Sequence, residues 1–441
     1  MSVPDQLLIL GNGFDLQCGL ASTFTDFEEP RKDTLDSIMK KYAHCENMAV
    51  MPLSLDDEER PGKSLAADFR AAGITAWDLI LIADEHVRTW YDVEACIRDW
   101  LMGYTESRRP TGENQLRTVK NQYSQFRRVA TREASPEDFD GIATLRNFID
   151  DSVFRQLSVD EQVAKLLLKW YKCDADDNSV IKAMMQELHR LEAAFSSYMK
   201  NEAGNNENYC SRARCLLEKL MNDQLNDYSS LLTKNTYRIG GDILFGNSFN
   251  NVRILDFNYT DPIYDIEIAP TLINIHGNIH GEDIVFGIDS NSVDTNNSNY
   301  PGLVKFTKTY RLMALGKSRK TELVHPHVSG QPGSETNIIK FFGHSLGDPD
   351  YSYFQAIFDE VNLYGSNTRL VFYYNQNRLN EKKDDKKNKN TTSENAQEEM
   401  FEKVNRLITT YGQTLDNKDH GRNLMHKLLL ENRLQVVQAP V

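Results

Sequence analysis

Apolar positions fall along this chain in two textures. Between Ala66 and Lys234 they recur at steps of three and four residues, the spacing that puts them on one side of a helix. The stretch from Trp90 to Leu101 shows this, and so do two longer stripes. One stripe is Ile181, Met184, Met185, Leu188, Leu191, Phe195 and Tyr198; the other is Leu216, Leu217, Leu220, Met221, Leu225, Tyr228 and Leu232, with the polar stretch 204–208 between them. Near the start and beyond Thr236 the apolar residues instead form short runs, separated by Gly, Asn and Asp. Such runs suit strands buried on both faces of a parallel sheet. They predict strands at 7–10, 252–258, 272–276, 284–288, 338–342 and 369–374, helices at 398–411 and 421–431, and a last strand at 434–438. Strand pieces at both ends with a helical block between them predict an α/β fold, in which an open parallel sheet carries a large α-helical insertion. The expected division is 1–65 and 236–441 for the sheet domain and 66–235 for the insertion. The tract 375–395, rich in Lys, Asp and Asn, is expected to be a flexible charged linker.

At 441 residues the chain exceeds what one simple core organises, which agrees with that division. Its net charge of −14 argues against direct binding to nucleic acid or to an anionic membrane. The mean hydropathy of −0.54 leaves no long apolar run for a membrane span. Asp5 stands where a secretory leader would carry positive charge. The six cysteines include no C-x-x-C pair, so neither a zinc cage nor a disulfide framework is expected. These features predict a reduced, cytoplasmic protein without a metal.

The candidate chemistry sits where apolar runs end. After 7–10 comes Gly11-Asn12-Gly13-Phe14-Asp15, whose glycines permit a tight turn and close approach of another group. The helix expected after it offers a positive end to an anionic ligand. A third glycine of the dinucleotide fingerprint is missing, since Leu16 holds that place. Asp15 has two readings, a helix cap and a partner of a ribose hydroxyl. Three more motifs follow apolar runs: Asp256-Phe257-Asn258-Tyr259-Thr260-Asp261, Asn274-Ile275-His276-Gly277, and Gly343-His344-Ser345-Leu346-Gly347-Asp348-Pro349-Asp350. In an open parallel sheet such ends line one crevice, which is where ligands bind. Taken singly, an isolated His reads as a satisfied structural residue, Asn258 as a turn residue, and Asp348 or Asp350 as a helix cap.

As a set, in this order and spacing, the motifs resemble the sirtuin-like NAD-consuming fold, and most closely the AbiH family of bacterial phage-resistance proteins. The segment from Gly19-Leu20 to Asp26-Phe27 joins the likeness. The resemblance implies a Rossmann-like nucleotide-binding sheet in which Asn258 and His276 face the nicotinamide ribose and carry catalysis. It implies contacts to the rest of NAD from Gly11, Asn12, Gly13, Phe14, Asp15, Phe27, Phe257, Tyr259, Gly343, His344, Ser345 and Asp350. Phe27 also reads as an ordinary core residue, and His344 as a loop residue. Sirtuins usually place Asp two residues after the asparagine, where this chain has Thr260, and open with Gly-Ala-Gly followed by Ser. The zinc cysteine pairs of deacylase sirtuins are missing, so the implied activity is NAD hydrolysis and not deacylation. The family further implies an antiphage abortive-infection effector that answers a phage-derived trigger or a defence partner and assembles as a homo-oligomer. A non-catalytic NAD- or nucleotide-sensing module is the alternative, and a nucleoside- or nucleic-acid-processing enzyme on the same sheet is a second one.

Overall fold

The computed structural model describes residues 4–42, 64–102, 159–171, 177–223, 236–239, 242–245, 251–264, 266, 270–281, 283–294, 300–315, 323–326, 328, 335–347, 350–375 and 389–440. Residues 376–388 of the expected linker lie outside these, as do Leu225, Tyr228 and Leu232 of the second stripe. The chain forms two compact units: 1–22, 199–283 and 318–441 make one, and 23–198 with 284–317 make the other.

The first unit is built on a parallel six-stranded sheet. Its strands are β1 (Gln6–Leu10), β4 (Val252–Asp256), β5 (Thr271–Asn274), β6 (Ile338–Phe342), β7 (Arg369–Tyr374) and β8 (Leu434–Gln438), in the spatial order β5-β4-β1-β6-β7-β8. Two further strands, β2 (Thr236–Ile239) and β3 (Asp242–Phe245), pair with each other antiparallel. Every residue of β1, β4 and β6 is buried, which is why these segments read as short apolar runs, interrupted by Arg253 in β4 and Lys340 in β6.

Alternation along the strands sends Leu7, Ile9, Leu255, Ile339, Phe341, Leu370 and Phe372 into one core layer. There they meet Phe354 and Phe358 of the helix Tyr351–Glu360, Val404, Leu407, Ile408 and Tyr411 of Lys389–Thr414, and Leu424 and Leu428 of Lys418–Leu430. Each such side chain contributes about 1.5–3 kcal/mol on burial, so the layer outweighs local preferences in fixing the register. Lys340 stands on the opposite face among apolar neighbours. Its Nζ donates to the carbonyls of Leu220, Met221 and Asp223, where the helix Tyr209–Asn222 ends.

Two expected strands are shorter than their apolar runs, β4 ending at Asp256 and β5 at Asn274. Residues 284–288 correct the sequence reading more sharply. Ile284, Val285, Phe286 and Ile288 are buried, but the segment belongs to the other unit and makes only an isolated bridge from Ile288 to Thr307. The Phe286 N–H donates to Glu192, and Arg311 donates both to Glu192 and to the Phe286 carbonyl. Apolar runs report burial; here side chains take the place of a neighbouring strand.

The second unit contains the helices Phe24–Tyr42, Leu65–Ala71, Ala76–Ala83, Trp90–Met102, Val159–Tyr171 and the part of Asp177–Asn205 up to Tyr198. A reciprocal capping box of Thr75 and Asp78 starts Ala76–Ala83. Trp77 is fully buried and its indole N–H donates to the Met184 carbonyl at 3.0 Å. Glu187 is also fully buried and accepts from the Ala76 N–H, Arg70 and Arg190, which compensates for its desolvation.

Candidate functional site

The site follows from strand register. Leu10 lies level with Asp256 of β4 and Phe342 of β6, and Asp256 lies level with Asn274 of β5. The ladder then runs one step further: Gly11 N–H donates to Phe342 O, Phe257 N–H to Leu10 O, and Ile275 N–H to Asp256 O. All four sequence motifs therefore leave the sheet at one level, on its C-terminal edge. β1 lies where the order reverses, since the chain builds β4 and β5 on one side of it and then β6, β7 and β8 on the other. That position is the one at which open parallel sheets bind ligands.

The glycine turn packs directly on the turn after β6. Gly13 N–H donates to Gly343 O at 2.9 Å, and Phe14 N–H turns back to Gly11 O at 2.8 Å. The amides of Gly11, Gly13 and Phe14 are thus committed within the turns. Phe14 is fully buried, with its ring edge-on to Phe342. Asn12 is the residue preceding the helix Gly13–Gln17 and accepts a hydrogen bond from the Ser22 hydroxyl at 2.6 Å.

Asp15 does not cap that helix, which corrects one of its two sequence readings. Its carboxylate is buried and accepts from the Tyr209 hydroxyl at 2.7 Å and from the Thr260 hydroxyl at 2.9 and 3.0 Å. Burial pushes the group up to about 6, and the two hydroxyls hold it back from rising further. Burial and the neighbouring Asp15 likewise push the Tyr209 hydroxyl well above its usual range. Asp256, fully buried at the tip of β4, accepts from the Asn258 N–H through Oδ1. Its Oδ2 makes no hydrogen bond to any described residue. Burial first, and Asp15 second, push it well above the usual carboxylate range.

The two expected catalytic residues occupy adjacent strand tips of this unit. Asn258 is buried and gives its Nδ2 to Gly11 O at 3.1 Å. His276 is buried just past β5, its Nε2 lying 3.8 Å from Asp350 Oδ1. The other oxygen of Asp350 lies 3.4 Å from His344 Nε2. The Phe257 ring stands edge-on to both imidazoles, with centroids 5.5 Å from His276 and 4.5 Å from His344. Gly277 and Gly343 take positive φ of 84° and 72°, letting both histidine turns bend sharply. Among the remaining expected contacts, Asn12, Tyr259 and Asp350 are half-buried and Ser345 is exposed. Phe27 belongs to the other unit, where its ring is buried against Trp90, Phe195 and Tyr198.

Sequence reasoning placed Asp256 and Asn274 inside candidate motifs without giving either a role, and did not single out Tyr209. Asn274 Nδ2 donates to the carbonyls of Asn258 and Thr260 at 2.9 and 2.7 Å, tying the two strand tips together. Asp256 and Asn274 had a readable signal, a polar residue closing an apolar run; Tyr209 had none. Among the described residues no group of three or more His, Cys, Asp or Glu side chains is placed to hold a metal ion. None of the described helices is long and apolar enough to cross a membrane.

The chain matches no curated protein and no solved structure. A family model described as bacteriophage abortive infection AbiH matches residues 7–374, from the first strand through β7 and all four strand-tip motifs, and the chain belongs to that family.

Proposed function

We propose that this protein is an abortive-infection effector whose sheet unit hydrolyses NAD to nicotinamide and ADP-ribose. The observation that carries the reading is the placement of Asn258 and His276 on neighbouring strand tips, level with the glycine turn of β1. A second support is strand order. Counted along the chain, the six parallel strands lie in the spatial order third, second, first, fourth, fifth, sixth, the arrangement of doubly wound dinucleotide-binding sheets. This order supports the reading of a dinucleotide-binding sheet.

The chemistry asks little of an acid. The oxygen of a water molecule bonds to ribose C1′ as the bond from C1′ to the nicotinamide nitrogen breaks. The electron pair of that bond leaves with nicotinamide, which departs neutral. Charge on the ribose passes through an oxocarbenium-like state, as in glycoside hydrolysis. His276 takes the proton of the attacking water, and the Asn258 amide orients that water or a ribose hydroxyl. The half-buried and exposed polar groups at the rim, Asn12, Tyr259 and Ser345, are those that reach the riboses and phosphates.

The test is release of free nicotinamide from NAD by the purified full chain, with and without phage lysate as trigger. His276→Ala and Asn258→Ala are compared with the parent. Loss of a general base is typically worth on the order of 100- to 10,000-fold. Turnover that survives both substitutions would reject the residue assignment. NAD binding without turnover in the triggered parent would favour a sensing module instead. Forced expression adds a cellular readout: growth arrest that His276→Ala abolishes supports catalysis.

A further inference from the structure

Asp350 occupies the position preceding the helix Tyr351–Glu360, where an aspartate ordinarily gives its carboxylate to the first helical amides. It makes no such capping bond. Its two oxygens instead lie beside two imidazoles: Oδ2 is 3.4 Å from His344 Nε2, and Oδ1 is 3.8 Å from His276 Nε2, a spacing beyond hydrogen-bond reach.

The tautomer of His344 is fixed independently of Asp350. Its Nδ1 accepts the Leu346 N–H at 2.9 Å, so the neutral ring carries its proton on Nε2, facing the carboxylate. Leu346 reaches that position with a φ of 57°, a left-handed conformation that side-chain-bearing residues seldom adopt. The turn after β6 thus accepts backbone strain in order to lock His344. Aromatic rings wall the cluster: Phe257 against both histidines, Tyr353 beside His276 at 5.9 Å, and Phe354 beside His344 at 5.1 Å.

We propose that Asp350 is the positioning residue of His276, anchored in turn by His344. The carboxylate keeps the His276 proton on Nε2 and leaves Nδ1 as the basic nitrogen. His344 holds the second oxygen so that the carboxylate cannot swing back to cap its own helix. A carboxylate behind an imidazole fixes the ring's tautomer and orientation and stabilises the imidazolium once a proton arrives. Spacings of this kind shorten when substrate completes a site. The proposal rests on the reading of His276 as the base, and its test has one arm that does not need NAD.

The first arm is kinetic, on the full chain. Asp350→Ala lowers kcat for nicotinamide release at least about tenfold, less than loss of the base itself, and leaves KM for NAD within about twofold. Asp350→Asn, which keeps one carbonyl acceptor, recovers part of the loss. An unchanged kcat, or a loss wholly in KM, overturns the assignment. The second arm is nitrogen NMR of the parent with labelled histidines, the His276 signals assigned by comparison with His276→Gln. A neutral ring protonated on Nε2 is expected; protonation on Nδ1 overturns the proposal whatever the Asp350 variants do. A parent that releases no nicotinamide under trigger would sink the hydrolase reading alone, because the tautomer still decides the role of Asp350.

Discussion

Gly13 and Gly343 meet backbone to backbone. A Cβ built on Gly13 would stand 2.6 Å from the Gly343 Cα, and one built on Gly343 would stand 2.5 Å from the Phe14 nitrogen. The turns after β1 and β6 therefore interlock at the sheet's point of reversal, with no room for a methyl group. Overfilling a packed site costs about 1–3 kcal/mol. At Gly343 the φ of 72° adds about 1–2 kcal/mol for any residue with a side chain. Gly343→Ala is expected to destabilise the protein by roughly 2–5 kcal/mol, and Gly13→Ala by somewhat less, as read from urea midpoints. Gly204 is the control, since nothing lies within 4 Å of a Cβ there. Gly204→Ala, in the last turn of its helix, should be neutral or gain up to about 1 kcal/mol.

This contact shows what the sequence could and could not disclose. The turns themselves were legible, because an apolar run ended by glycine and polar residues is a local signal. The register that brings four tips to one level follows from parallel pairing, and the sequence reading expected it. Asp15 was read as a cap or a ribose partner because its real partners are remote: Tyr209 lies 194 positions away and Thr260 lies 245 away. A helical stripe marks which side of 209–222 is buried and says nothing about which end meets a carboxylate. Residues 284–288 failed for a different reason, since hydrophobicity cannot tell a paired strand from an extended segment whose amides are met by Glu192.

The two buried acids make stability fall as pH rises. For Asp15 the folded-state value is about 6 against an ordinary 3.8, so the folded form keeps its proton where the unfolded chain has lost it. Its contribution is fully present below pH 3.8 and is lost as pH rises to about 6. That difference corresponds to about 3 kcal/mol at neutral pH. Asp256 acts in the same direction, its burial likewise favouring the protonated form. Asp256→Asn keeps the shape, removes the titration and can still accept from the Asn258 N–H. Its urea midpoint should exceed the parent's at pH 8 and converge with it near pH 4; parallel profiles would show that Asp256 is ionised in the folded protein.

Lys340 holds the far end of the helix that serves Asp15. Three carbonyls, those of Leu220, Met221 and Asp223, accept from its Nζ at 2.7, 3.2 and 2.8 Å, while Tyr209 at the helix start donates to Asp15. Burial pushes the amine down to about 7, with Asp223 pulling it back up. Lys340→Met fills the same space and leaves the carbonyls unpaired, at about 1–3 kcal/mol for each group that water cannot reach. Amide exchange in 209–222 should accelerate more than exchange in β1 and β6. Uniform acceleration across the unit would mean that the lysine supports the sheet and not this helix.

Asn274 tests whether the tips must be tied for the site to work. Its Nδ2 donates to two carbonyls of the β4 turn, those of Asn258 and Thr260, and the residue is buried. Asn274→Ala removes the tie and leaves two acceptors short of a partner, a cost of about 1–3 kcal/mol each where water is excluded. Asn274→Asp is nearly isosteric but sets a carboxylate against those same carbonyls, so at pH 8 it should be the more damaging of the two in both stability and nicotinamide release. Near pH 5 the aspartate can take up a proton and donate one hydrogen bond, which should narrow the gap between the variants. Urea midpoints of both at the two pH values read the order. If Asn274→Asp were the milder change at pH 8, the amide would be accepting rather than donating, and the tie between β4 and β5 would have to come from other groups.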